Sequence, residues 1–382
     1  MKVVPTPNTL GTQYFSMGAG RRWGEAYEFL VPQGLNIVGG RVYTVGSSVI
    51  IGGGISYLSY QHGWASDNVL NFELVTAKGE VLQVNQKTYP DLFWALKGGS
   101  NNFGIVTRYD MKTFSQDKVF GGTITYQKTQ DYLDAHQAWI NPGGGVEDTN
   151  AAIMPNVNYS PLTKQSVATW SGVYNSPVDK PRSFENFTSI PSVNNQASLT
   201  NFNDIVAQSK SYGGSIARSN WFSTAIQFYN DTMNYQFETM IKTADTLLAG
   251  YNVTVGFASE PVTVPFLQKS RENGGDAMDL DPKRGSFHVV LCYAFWFEES
   301  LDTRMEKYLQ TLIQNLDTGS KQAGHYYPFV FLNNAGDTQN PFASYGYGKS
   351  LPKLKAIAKK YDPQGVFQRL VPGFKLEGLQ VN

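Results

Sequence analysis

The sequence predicts an α+β chain of about two domains, and three observations carry this. Its 382 residues exceed what one hydrophobic core ordinarily organises. Residues 1 to about 115 are glycine-rich and alternate short strand and helix signals; from about residue 116 glycine thins and longer elements take over. Aromatics at 14% beside a charged fraction of only 16% mark a chain that folds rather than one that stays disordered.

In order, residues 14–17 read as a strand ending at Gly18-Ala19-Gly20. Residues 21–31 read as a helix, because Trp23, Ala26, Tyr27 and Leu30 fall at i, i+3, i+4 and i+7. Pro32 and Gly34 stop it. A short apolar strand over 35–38 breaks at Gly39-Gly40. Val49-Ile50-Ile51 reads as a strand running into Gly52-Gly53-Gly54, with a short helix over 55–60 behind it. Residues 69–76 and 80–84 flank Lys78-Gly79 as a hairpin. Residues 89–97 read as a helix, with Thr88 as cap, Pro90 in the first turn and Gly98-Gly99 past the end. Residues 105–114 return as a strand. Farther on, helices are expected near 229–248 and 301–316, with a buried aromatic strand over 287–297 between them. An amphipathic helix over 351–361 closes the chain: Leu351, Leu354, Ile357, Ala358 and Tyr361 share one face, and Asp362-Pro363 ends it.

Composition excludes several function classes. Lys+Arg and Asp+Glu are 31 each, so the basic excess of a nucleic-acid binder is missing. No run of about 18 apolar residues exists, which removes a spanning helix. The single Cys292 excludes an internal disulfide and a cysteine zinc cluster. His62, His136, His288 and His325 form no HExxH or HxH pair, so no metal is expected. The first seven residues lack the apolar core of a secretory signal. A GxGxxG fails because Gly18-Ala19-Gly20 continues into Trp23, and a P-loop ending at Gly348-Lys349-Ser350 has Ala343 where its first glycine belongs. There is no GxSxG.

What remains is a pair of glycine-rich loops. Gly52-Gly53-Gly54-Ile55-Ser56 lets backbone approach a ligand without Cβ interference, and its N–H groups suit phosphate oxygens. Gly98-Gly99-Ser100-Asn101-Asn102-Phe103-Gly104 is the second. Each alone has the plainer reading of a tight turn; together they point to a cofactor with a long polar chain. His288 in the aromatic strand is a candidate acid or base, against the plainer reading of a packed core histidine. Tyr326 and Tyr327 carry phenols suited to oxidation chemistry, although most of 22 tyrosines must be packing residues.

Read together, these residues resemble a family. Gly20-Arg21-Arg22-Trp23-Gly24-Glu25-Ala26-Tyr27, Val38-Gly39-Gly40-Arg41, Gly52 to Ser59, Gly63, Asp67-Asn68-Val69, Asp91 to Gly99, and Asn101 to Thr107 look like FAD-linked oxidases of the vanillyl-alcohol-oxidase type with a PCMH-type FAD-binding domain. The nearest group is the berberine-bridge-like oxidoreductases of fungal natural-product pathways. Glu272-Asn273-Gly274-Gly275-Asp276-Ala277-Met278, Tyr345-Gly346 and Tyr361-Asp362-Pro363-Gln364-Gly365-Val366-Phe367 extend the likeness along the chain.

The resemblance implies the C-terminal part of an FAD domain, truncated at its N-terminus, over 1–115, a substrate-binding domain over 116–344 built as an antiparallel sheet backed by helices, and a segment over 345–382 returning to the FAD domain. It implies cofactor contacts from Gly52, Gly53, Gly54, Ser56, Asn68, Gly104, Ile105 and Val106. It implies oxidation of an apolar or aromatic small molecule, with hydride passing to the flavin and O2 as acceptor. Family members carry an earlier half of the FAD domain, with a histidine that often bonds the flavin covalently. No histidine precedes His62 here, so FAD is expected to be non-covalent, and half a cradle with half the N–H donors implies weakened or absent binding. The family's tyrosine-x-asparagine-tyrosine segment reads Phe331-Leu332-Asn333-Asn334, without either tyrosine; Tyr326 or Tyr327 is the expected substitute. The alternatives are a flavin-free descendant that binds ligand or guides a pericyclic or isomerisation step, and an incomplete gene model.

Overall fold

The structure, a computed structural model, describes residues 1–6, 10–126, 128–211, 217–377 and 380–381. Two antiparallel sheets organise it. The first has five strands in the order Lys2–Val4, Tyr14–Gly18, Ile105–Lys112, Val69–Val75 and Val81–Val84. The helix Trp23–Leu30 packs its expected stripe into this core: Trp23, Ala26, Tyr27 and Leu30 are all fully buried. It tightens into a short 3-10 turn, and Gly34 at φ 69° ends it, a conformation that favours glycine.

The second sheet has eight strands. Seven run in the order Asn194–Asn195, Val119–Tyr126, Gln165–Tyr174, Ala151–Ser160, Thr254–Val262, Phe287–Trp296 and Arg218–Gln227, and Ser198–Thr200 also pairs with Val119–Tyr126. The helices Thr129–Ile140, Thr232–Leu247 and Asp302–Gln322 bury residues against one face, in a core containing Leu133, Met240, Val290, Cys292 and Leu312. Side chains alternate along a strand. In Phe287–Trp296, Phe287 and Val289 therefore join the core shared with the first sheet, while Val290 and Cys292 join the helical core. This alternation decides what the strand can offer a site. Among the described residues no helix is long and apolar enough to cross a membrane.

Three local readings are corrected. Val49-Ile50-Ile51 is not a strand: Ser47–Gly52 is a 3-10 helix, its apolar residues satisfying their backbone locally, with the Gly53 amide on the Ile50 carbonyl at 3.0 Å. The following helix begins at Ser59, not 55, because Ser56 diverts the chain; its amide donates to Ser59 Oγ and its hydroxyl accepts from the Leu58 amide. Thr88 does not cap the helix Pro90–Leu96. Asn85 Oδ1 takes the Thr88 amide into a turn of its own, and Tyr89 enters the helix at φ 60°.

Candidate functional site

The two glycine turns meet. The Ser100 amide donates to the Ile51 carbonyl at 2.9 Å, joining the second loop to the helix that delivers the first. Gly53 and Gly54 stand at φ 101° and 82°, and Gly98 at 108°, so L side chains are strained at all three. The carbonyls of Gly53 and Gly54 accept from the amides of Ser66 and Ala65. The amides of Gly54 and Ile55, in buried residues, have no protein acceptor among the described residues. A buried unpaired N–H costs about 1–3 kcal/mol, so this pair calls for an acceptor from outside the chain. That is the chemistry of a phosphate or a flavin carbonyl, and on this count the turn fits FAD.

Protein neighbours account for the other faces of the turn. A Cβ at Gly52 would overlap the Asn333 side-chain amide, whose Nδ2 donates to the Val49 carbonyl at 2.9 Å. A Cβ at Gly53 would stand 2.9 Å from Met278 Cε, and one at Gly54 2.8 Å from Ala65 Cβ. Ser56 spends its hydroxyl on the Leu58 amide. Asn68 Nδ2 donates to the carbonyls of His62 and Trp64, both at 2.9 Å, so it braces the loop behind the turn. At Gly104 a Cβ would meet Leu74 Cδ1 at 2.7 Å and the Val75 carbonyl at 2.8 Å. Gly104→Ala is therefore expected to cost ~1–3 kcal/mol by overpacking. Urea unfolding checks this, and an unshifted midpoint would mean that the Val69–Val75 strand yields. Ile105 and Val106 pair with Val75 and Leu74 at the start of their strand, and Ile105 is 58% exposed.

Opposite the turns stands an aromatic row. Tyr327, Phe329 and Phe331 are buried at every second position. Phe331 stacks on Trp64 at 5.4 Å, Phe329 lies 6.2 Å from Phe331, and Tyr327 stacks on Phe287 at 3.8 Å. Tyr345 closes the row from the tail, donating its hydroxyl to the Gly98 carbonyl at 3.2 Å. The Tyr327 hydroxyl pairs with that of Tyr347 at 2.9 Å, and Arg284 lies 4.4 Å from the Tyr347 ring. Burial, then this hydrogen bond, push the Tyr327 phenol well above its ordinary range, so it keeps its proton at neutral pH.

The three candidate acids and bases separate. Tyr327 joins the row. Tyr326, its neighbour in sequence, is half-buried beside Asp302–Gln322, with Lys321 Nζ 4.3 Å from its ring. His288 is fully buried on the helical side of its strand, 5.3 Å from His136 and 4.6 Å from Phe228. The period-2 alternation turns it away from the glycine turns.

Sequence reasoning missed two buried polar clusters here. Glu260 is buried on the strand Thr254–Val262. One of its oxygens pairs with Arg41, which follows Gly39-Gly40, and the other accepts from Asn334 Nδ2 at 3.0 Å. Asn334 stands where the family pattern has its second tyrosine, so the replacement carries a bond of its own. Second, Lys97 Nζ lies 3.5 Å from Asp67 Oδ1, and Asp276 accepts from Ser270 Oγ at 2.6 Å. Burial pushes both aspartyl carboxyls up, and at Asp67 the Asp276 charge adds to this. No periodicity signals either cluster; the one available hint was that Arg41, Asp67, Lys97 and Asp276 sit in motifs shared with the family.

Comparison with known proteins places this two-sheet fold, with its paired glycine turns and aromatic wall, among flavin-linked oxidoreductases. The FAD binding domain family matches residues 9–85. The FAD-dependent monooxygenase prx3 of Penicillium roqueforti is 35% identical over 377 residues, covering 94% of this chain and 73% of that protein. Among solved structures, 6-hydroxy-D-nicotine oxidase of Arthrobacter nicotinovorans superposes with a TM-score of 0.72 at 22% identity, covering 96% of this chain and 79% of the other. A berberine bridge enzyme variant gives 0.71 at 16% identity, covering 96% and 77%. The two structures speak for a shared fold, of the PCMH type. The chain belongs to the FAD-dependent oxidoreductases that include prx3, and it shares its fold with the berberine bridge enzyme.

Proposed function

We propose that the glycine turns and the facing aromatic row hold FAD without a covalent bond, and that the protein oxidises an apolar or aromatic small molecule by two electrons, with O2 as acceptor, in fungal-type specialised metabolism. The observation that carries this reading is the meeting of the two turns, at the Ser100–Ile51 hydrogen bond, with the Tyr327–Phe331 row facing them. Bound FAD supplies a hydride acceptor.

The chain's own residues do the rest. The Gly54 and Ile55 amides would meet oxygens of the cofactor, with Gly52 and Gly53 allowing close approach; Ser56 and Asn68 hold the turn in shape. Gly104, Ile105 and Val106, at the start of the strand Ile105–Lys112, would add backbone contacts to the cofactor. The row presents flat apolar surface to the substrate and excludes water. Tyr327, kept protonated, donates a hydrogen bond that orients the substrate. Glu260, bonded to Asn334 three residues beyond Phe331, is the carboxylate we assign to take the substrate's proton. Tyr326 and His288 have no part in this reading. Residues 1–115 and 345–382 form the cofactor side, and 116–344 the substrate side.

The test is an absorbance spectrum of the purified chain, before and after acid precipitation. A flavin band near about 450 nm that moves to the supernatant is expected for FAD held without a bond. A yellow pellet overturns the non-covalent part. A colourless protein that does not take up added FAD overturns the reading.

A further inference from the structure

Both glycine turns close on one thioether. Met278 is fully buried. A Cβ at Gly53 would stand 2.9 Å from its Cε, and one at Gly98 3.2 Å from its Cγ. Both glycines have positive φ, so their backbones leave an open angle, and Met278 fills it with Phe331 beside it. The loop holding Met278 is pinned at three points. The Met278 amide donates to Asp276 Oδ1 at 2.7 Å, its carbonyl accepts from the Gly346 amide at 2.8 Å, and the Ala277 amide donates to the Lys97 carbonyl at 2.9 Å. Asp276 is fixed in turn by Ser270 at 2.6 Å, and Lys97 by Asp67 and by the Asn273 carbonyl, 3.4 Å from Nζ.

We infer that Met278 is a specificity-determining wedge, which a flat ring must displace to lie against both glycine turns, and that Asp276, Ser270, Lys97 and Asp67 are positioning residues that hold the wedge in place. This rests on the FAD reading above and adds a residue that sets what the site admits. Methionine suits the part. It is unbranched, with three rotatable bonds, so it can leave the angle without moving the backbone, and its sulfur packs favourably at the edge of an aromatic ring. A leucine or phenylalanine would block the angle or require the loop to shift. The charge cluster also suits a fixed support. Two carboxylates against one ammonium would leave a net buried charge, and burial raises both carboxyls, which favours a proton there.

The test is titration of the full chain and its Met278→Ala and Met278→Trp variants with riboflavin and with FAD, read by quenching of flavin fluorescence, with near-UV circular dichroism to confirm folding. Met278→Ala is expected to bind both ligands about tenfold tighter than wild type, and Met278→Trp about tenfold weaker, because both ligands share the ring and differ only in the polar chain. If Met278→Trp does not fold, Met278→Leu replaces it, with binding weaker by about threefold or more. Affinities within about twofold across folded variants of a wild type that binds FAD overturn the wedge and leave the FAD reading standing. No quenching by any of the proteins overturns both. The positioning role has its own readout: Asp276→Ala is expected to speed oxidation of Met278 by hydrogen peroxide about fivefold, by peptide mass, and not that of the buried Met240. Equal Met278 rates in the two proteins overturn it.

Discussion

Glu260→Ala is expected to lower the free energy of unfolding by ~3–5 kcal/mol, because it strands the Arg41 guanidinium in a buried site. The Arg41 side chain is 10% exposed and that of Glu260 5%, so water cannot take the place of the lost partner. The same substitution also frees Asn334 Nδ2. Two further variants separate the charge from the shape. Arg41→Met with Glu260→Met removes both charges and should recover most of the loss, since an apolar pair of similar volume is often as stable as a buried ion pair. Glu260→Gln keeps the volume and an acceptor for Asn334, and on the proposed role of Glu260 in proton transfer it should lower turnover by about 10²-fold or more. Urea unfolding followed by tryptophan fluorescence gives the stabilities, and steady-state oxygen uptake gives the turnover. A Glu260→Ala loss under about 1 kcal/mol would place the pair among exchangeable surface contacts and remove it as a bridge between the segment after Gly39-Gly40 and the second sheet.

How much of this was legible in the sequence depends on the range of the interaction. The Trp23–Leu30 helix was readable because its stripe recurs locally, and the hairpin because Lys78-Gly79 sits between two apolar runs. The glycine turns were readable as turns. That they share a crevice was carried by family likeness, since their joint contacts, the Ser100–Ile51 bond and Met278, follow no period. Arg41 and Glu260 are 219 positions apart, and nothing local marks either as the other's partner. The error at Val49-Ile50-Ile51 is of another kind. β-branched residues favour strands, but here the run must turn at once into Gly52–Gly54, and local 3-10 bonding won. His288 shows a limit of pattern reading. Alternation along Phe287–Trp296 was evident, yet the sequence does not say which face meets the glycine turns and which meets the helices. Tyr326 and Tyr327 illustrate the same point, as one adjacent phenol lies at the surface helix and the other in the aromatic row.

The histidine the strand turns inward makes the protein acid-sensitive. His136 and His288 are fully buried, 5.3 Å apart, and none of their four ring nitrogens has a hydrogen-bond partner among the described residues. The rings around them belong to Tyr132, Trp139, Phe187 and Phe228, which supply no counter-charge. Burial lowers His136 to about 3, and burial followed by the His136 charge holds His288 well below its ordinary value. Both rings are therefore neutral in the folded state, while in the unfolded chain they titrate near about 6.5. Below that pH the unfolded state binds more protons, so stability falls as pH falls, and continues to fall until the folded rings titrate. Each ring contributes about 1.4 kcal/mol per pH unit across this window, or ~5 kcal/mol for the two between about pH 6.5 and 4.5. A His136→Leu, His288→Leu variant is expected to lose this part of the acid slope. Because two imidazoles with unpaired nitrogens are replaced by apolar side chains, it should also be at least as stable at neutral pH. Urea midpoints at several pH values for the two proteins decide the matter. Curves that fall in parallel would show that the acid response comes from carboxylates elsewhere and that the imidazole nitrogens are satisfied by buried water.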